Sequence, residues 1–107
     1  MTPDSTTGVK HDAAKPRASM VLGDFARALR AVAQVGTFGA IKYADHNWLT
    51  VPDGHVRYSD AMLRHWLAEH YDVDALDADS GLLHAAHVAW NALARLELWL
   101  RAAEGGV

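Results

Sequence analysis

The sequence predicts an all-α fold of three to four helices in an antiparallel bundle, completed by oligomerisation. Three observations carry that reading. Apolar residues recur at helical spacing in three segments that begin near Asp24, Asp60 and Gly81. The last two segments are joined only by Val73 to Ser80, a connection short enough to make them antiparallel neighbours. The final segment is apolar nearly all round, and a chain of 107 residues cannot enclose such a helix by itself. A second copy is therefore expected to cover it, in a homodimer or homotetramer.

Composition narrows the function classes. Half of the residues are apolar, enough for a folded core. Thirteen acidic residues against ten basic ones give a formal charge of −3, which argues against general affinity for duplex nucleic acid. Cysteine is absent, so disulfides and thiolate metal sites are excluded. The first eighteen residues carry charges and no apolar run, and the long apolar stretch from Gly81 to Leu100 is interrupted by His84, His87, Asn91, Arg95 and Glu97. Neither reads as a signal peptide or a membrane span, and a cytoplasmic protein is expected.

Residues 1–18 read as an extended basic arm, stiffened by Pro3 and Pro16, and residues 19–107 as a single helical domain. A first helix is expected from about Gly23, capped by Asp24, with Phe25, Ala28, Leu29, Val32 and Val35 on its inner face. Gly36 and Gly39 predict a break or kink, each costing about 1 kcal/mol against alanine. Tyr43 to Trp48 is a turn-rich loop, and Pro52-Asp53-Gly54 a further turn. Ser59 is the expected cap of a helix over 60–72. Ser80 is the expected cap of a last helix running to about Ala103 and stopped by Gly105-Gly106.

Two polar stripes interrupt these helices: His65-x-x-x-Glu69-x-x-Asp72 and His84-x-x-His87-x-x-x-Asn91. Spacings of three and four put each set on one helix face. Across an antiparallel seam, two carboxylates then confront two imidazoles. Burying them costs several kcal/mol unless something pairs them, and a metal ion does so with few groups. Glu69, Asp72, His84 and His87 are the expected ligands, with His65 a further ligand or orienting group and Asn91 behind them. Each alone would be an ordinary structural side chain, and Asp74, Asp77 and Asp79 read most simply as loop residues. Mixed ligation of this kind suits Mn²⁺, Fe²⁺, Co²⁺, Ni²⁺ or Zn²⁺. There is no H-E-x-x-H zinc motif, and the only His-Asp doublet, His11-Asp12, lies in the arm.

Lys10, Lys15 and Arg17 of the arm, with Lys42 and Arg64, are candidates for holding phosphates. Tyr43, His46, Asn47 and Trp48 offer stacking faces and amide groups of the kind that recognise a base. A loop anchored in the core by Trp48 is the plain alternative.

These residues also carry a resemblance. Lys10-His11-Asp12-Ala13-Ala14-Lys15-Pro16-Arg17, Thr37-Phe38-Gly39-Ala40-Ile41-Lys42-Tyr43 and His46-Asn47-Trp48 are followed by Arg64-His65, Glu69, Asp79-Ser80-Gly81-Leu82, His84, His87 and Asn91. In this order they resemble small phage and bacterial dATP/dGTP diphosphohydrolases. The resemblance implies hydrolysis of purine deoxynucleoside triphosphates to monophosphate and pyrophosphate, for control of the nucleotide pool of a bacterial or phage-infected cell. It also implies kinship with the all-α MazG-type pyrophosphatases, which hold Mg²⁺ or Mn²⁺ between facing pairs of carboxylates. Here the pattern departs, because one carboxylate pair, Glu69-x-x-Asp72, faces the histidine pair His84-x-x-His87, and the connection after Glu69 is longer. The expected cofactor is a divalent ion (Mn²⁺, Mg²⁺ or Co²⁺). Glu69, His65, Lys15, Arg17 and Arg64 are the expected catalytic groups. A nucleotide-sequestering oligomer without catalysis is the alternative.

Overall fold

The computed structural model describes residues 14–72 and 75–105. Lys10 and the rest of the arm before residue 14 lie outside the described residues, as do Val73 and Asp74. The architecture is all-helical: α1 spans Ala18–Gly23, α2 Ala26–Lys42, α3 Gly54–Tyr71 and α4 His84–Ala103, with a 3-10 turn at Asn47–Thr50. Among the described residues the only β contact is an isolated antiparallel bridge, Leu76 to Leu83. No helix there is long and apolar enough to cross a membrane.

Helix α3 runs antiparallel to α4, and side-chain contacts show the register. Asp72 and His65 meet His84, Ser59 meets Arg95, and Leu98 packs 3.1 Å from where a Cβ on Gly54 would sit. Helix α2 packs on α4 as well. The centre formed by these helices is small and mixed. The buried apolar residues are Val35, Ala86 and Ala94, and the buried polar ones are His84, His87 and Asn91. On the outside, α3 leaves Leu63, Trp66 and Leu67 exposed, and α4 leaves Leu93, Leu96, Trp99 and Leu100 exposed.

Several boundaries differ from the sequence expectation, each for a local reason. Ala18 already opens a helix, and the break falls at Asp24 and Phe25, where Asp24 ends α1 and makes no side-chain cap. Helix α2 runs through Gly36 and Gly39 without interruption. Gly36 serves packing instead, since a Cβ there would lie 3.1 Å from Trp90 Nε1 on α4. Close approach of the two helices thus offsets the ~1 kcal/mol that glycine costs a helix interior.

Helix α3 begins at Gly54, after Asp53 in the left-handed region at φ 53°, so Ser59 is internal rather than a cap. Its first turns are held by Tyr58, whose hydroxyl donates to the Trp48 carbonyl at 2.7 Å. Trp48 and Tyr58 then pack edge-on against Trp90, with ring centroids 5.9 and 5.5 Å away, and are tilted to each other at 6.3 Å. Ser59 Oγ donates to His55 O at 2.7 Å and accepts from Arg95 Nε at 2.6 Å, tying α3 to α4. Helix α4 begins at His84 and not at Gly81, because residues 75–83 fold into a turn of their own. At its far end the expectation holds: Gly105 adopts φ 73° directly after the Glu104 cap.

Ser59→Ala is expected to destabilise the protein by about 1 kcal/mol, because the part-buried Arg95 loses its acceptor and this outweighs the better helix propensity of alanine. Urea unfolding reads this as a lower midpoint at unchanged slope. An unaltered midpoint contradicts the assigned bond.

Candidate functional site

The seam between α3 and α4 opens at its loop end into a cluster of imidazoles and carboxylates. Helix α3 supplies His65, Asp72 follows its last turn, and the first turn of α4 supplies His84 and His87. Between the helices, residues 75–83 form a closed turn. Leu82 O accepts from Asp77 N at 2.8 Å, Asp77 O from Gly81 N at 2.8 Å, and Ala75 O from His84 N at 2.9 Å. The Asp77 carboxylate fixes the turn from inside, its Oδ2 accepting from Asp79 N at 3.1 Å and Ser80 N at 2.9 Å. Gly81 makes the reversal possible at φ 70°, a conformation that side-chain-bearing residues adopt at a cost. Asp77 is thereby carried into the cluster.

The hydrogen bonds fix proton positions. His84 Nε2 lies 3.1 Å from Asp72 Oδ2, and His84 Nδ1 lies 2.9 Å from His65 Nδ1. A carboxylate only accepts, so in neutral His84 the proton sits on Nε2 and the Nδ1 lone pair faces His65. His65 Nδ1 then donates. Its ring stacks on His87, with centroids 4.3 Å apart and planes 11° apart. His87 Nε2 meets Ser80 Oγ at 2.6 Å. Asp77 stands 4.0 Å from both His65 Nδ1 and His87 Nε2.

Burial sets the charge states. His65 is pushed down to about 4, chiefly by burial and next by the neighbouring His87. Burial also lowers His87, against the opposing pull of Asp77. For Asp77 burial acts upward, but the hydrogen bonds from Ser80 and the nearby imidazoles outweigh it, and its carboxyl is held below the ordinary value. Neutral imidazoles and an ionised carboxylate are the protonation states that bind divalent ions.

The donor set fits a metal. His65, Asp77 and His84 offer ligand atoms that all lie within 4.8 Å of one another. The His84 lone pair is backed by Asp72 on the opposite ring nitrogen, the arrangement that orients imidazole ligands in metal sites. His65 has only to move its proton to Nε2 to present Nδ1 as well.

Beside the cluster lies a cavity of about 600 Å³ between α2, the 3-10 turn, α3 and α4. His65 and His87 reach it from the cluster end. Lys42, Tyr43, His46, Asn47, Trp48, Arg64 and Asn91, all singled out in the sequence, line it too. Lys42 is engaged with Asp79, Nζ to Oδ2 at 2.5 Å, which raises its pKa. Asn91 donates its amide to the His87 carbonyl at 2.8 Å, inside its own helix.

Other expected residues stand apart. Glu69 is half-buried on α3 and makes no hydrogen bond or ion pair among the described residues; it does not line the cavity. Lys15 and Arg17 are exposed at the start of α1, away from the cavity lining. Sequence reasoning missed Asp77, Ser80 as the partner of His87, and Arg57, Tyr58 and Trp90 in the cavity wall. For Asp77 a signal exists: Asp77-x-Asp79-Ser80-Gly81 is the pattern of a turn closed by an aspartate side chain.

The fold and site thus define an all-α protein with a histidine–aspartate cluster at one end of a nucleotide-sized cavity. Comparison with protein families agrees: the family described as dATP/dGTP diphosphohydrolase, N-terminal, matches residues 5–105. The chain belongs to this family. Neither curated proteins nor solved structures gave a match.

The pKa directions predict acid sensitivity. Between about pH 6.5 and about pH 4 an unfolded chain binds a proton at His65 that the folded protein refuses, so stability falls as pH falls through that window. Asp77, depressed in the fold, contributes stability that is also lost on acidification. The metal-free protein should melt roughly 5–10 °C lower at about pH 5 than at about pH 7. A melting temperature that is flat or rises on acidification contradicts the buried, neutral imidazoles.

Proposed function

We propose that the protein hydrolyses dATP and dGTP to the monophosphate and pyrophosphate in a divalent-metal-dependent reaction. The observation that carries this reading is that His65, which is grouped with Asp77 and His84, also lines the cavity together with Lys42, Tyr43, Asn47 and Trp48. Family membership supplies the substrate class.

In this reading His65, His84 and Asp77 hold the ion, with Asp72 fixing the His84 ring and Ser80 fixing His87. Asp72 already touches His84, and Glu69, one turn along α3 from His65, is the further carboxylate whose part the Glu69→Gln variant tests. A divalent ion bound there (Mn²⁺, Co²⁺ or Mg²⁺) supplies Lewis acidity toward phosphate oxygens and acidifies a bound water. Tyr43, His46, Asn47 and Trp48 position the base, and Asn91 keeps the His87 turn of α4 in register. Lys10, Lys15 and Arg17 serve a cavity only if the arm reaches one, and a neighbouring copy is the natural route. The exposed Leu93, Leu96, Trp99 and Leu100 of α4, with Leu63, Trp66 and Leu67 of α3, form the face on which such a homodimer or homotetramer assembles.

One observation favours a second reading. Among the described residues no buried side-chain polar atom lacks a hydrogen-bond partner, and both ring nitrogens of His84 are partnered without an ion. A nucleotide-sequestering protein would use the same cavity and release no product.

Incubation of the purified protein with each deoxynucleoside triphosphate and Mn²⁺, Mg²⁺ or Co²⁺ separates the two. Pyrophosphate and deoxynucleoside monophosphate are expected from dATP and dGTP, and bound but intact nucleotide supports sequestration instead. Asp77→Asn should lower turnover by roughly 100-fold or more, as removal of metal-site groups commonly does. Glu69→Gln compares the two carboxylates: turnover lost only there assigns the ion to the α3 stripe, turnover lost only in Asp77→Asn assigns it to the turn.

A further inference from the structure

Three cationic side chains line the cavity: Lys42, Arg57 and Arg64. They are not equivalent. Lys42 is held by Asp79 and sits 5.4 Å from the Tyr43 ring centroid, so its charge is already partly compensated. The side chains of Arg57 and Arg64 make no hydrogen bond or ion pair among the described residues, whereas Arg95, in the α3–α4 seam, is committed to Ser59 and Met62. Both are exposed on α3, with their guanidinium groups available to an incoming ligand.

Their spacing adds direction. Seven residues is two helical turns, about 10 Å along the axis, and puts both on one face of α3. That face continues through Tyr58, Ala61 and His65, all of which line the cavity. Arg64 is therefore adjacent in sequence to a member of the histidine–aspartate cluster, and Arg57 lies two turns further from it. Two uncommitted positive charges in line with a neutral-imidazole centre make a track for an extended polyanion, not a seat for a single carboxylate. Guanidinium binds phosphate oxygens through parallel N–H donors, and bidentate geometry adds selectivity to charge.

We infer that Arg57 and Arg64 form a polyphosphate clamp, which holds the phosphate chain of the substrate along α3 with its inner end at the histidine–aspartate cluster. This inference rests on the proposed triphosphate chemistry and extends it to residues that bind the chain and leave the base to other walls of the cavity.

The test uses the full-length protein, inorganic tripolyphosphate and deoxyadenosine as separate probes, and Arg57→Ala, Arg64→Ala and the corresponding lysine variants. Removing one charge-assisted contact should weaken tripolyphosphate binding about tenfold in each alanine variant, with the lysine variants in between. The KM for dATP should rise in parallel, whereas deoxyadenosine affinity should change less than about twofold. Wild-type affinity for tripolyphosphate in both alanine variants overturns the clamp, and equal losses for tripolyphosphate and deoxyadenosine overturn it as well. The tripolyphosphate and deoxyadenosine arms are independent of turnover. If the wild-type protein releases no pyrophosphate from any deoxynucleoside triphosphate, yet the variants lose tripolyphosphate selectively, the clamp stands and the hydrolase reading fails.

Discussion

The structure turns on two imidazoles, His84 and His87, that are buried where α4 begins. A buried imidazole is expensive when charged and unstable when its nitrogens lack partners. The partners are local. Asp72 accepts from one nitrogen of His84, His65 completes the other, and Ser80 meets His87. Each partner comes from the end of α3 or from the turn between the helices, so the same bonds that satisfy the imidazoles also fix how α3 meets α4. Asp77, which organises that turn through backbone donors, is drawn into the cluster as a consequence. A cluster of hydrogen-bonded imidazoles thus follows from packing two histidines into a seam.

The cavity depends on the same frame. Gly36 lets α2 approach Trp90, and the Trp48–Tyr58–Trp90 rings hold the 3-10 turn against α3 and α4. These contacts leave a space of about 600 Å³ whose lining includes both aromatic rings and cations. Such a lining suits a ligand with a flat apolar end and a strongly anionic one, which is the chemistry of a nucleotide. The family to which the chain belongs names that ligand class. The outer faces of α3 and α4 remain rich in exposed leucine and tryptophan, more than a small monomer usually presents to water.

Much of this was legible in the sequence. The helical periodicity gave the all-α class, and the i,i+3 and i,i+4 stripes placed His65, Asp72, His84 and His87 on facing surfaces, where the structure brings them together. The sequence offers Tyr43, His46, Asn47 and Trp48 either as base contacts or as a loop anchored by Trp48; all four line the cavity, and Trp48 packs on Tyr58 and Trp90. What escaped reading was non-local. The aspartate-turn pattern at Asp77 is local and readable, but that this turn carries the carboxylate to His65 and His87 depends on how it packs against the helices. Glu69 shares the stripe of His65 in sequence, yet it makes no bond to the cluster. Stripe membership fixes the face of a helix, not the depth at which a side chain meets its neighbour. The glycines of α2 misled for a related reason, since propensity is a local cost and the packing of Gly36 against Trp90 is a tertiary gain.

The most direct measurement is anomalous diffraction from crystals grown with Mn²⁺. The account predicts a manganese peak within coordination distance of His65, Asp77 and His84, beside the cavity that His65 lines. No peak there at saturating Mn²⁺, or a peak held elsewhere by other side chains, contradicts the assignment of this cluster as the metal centre.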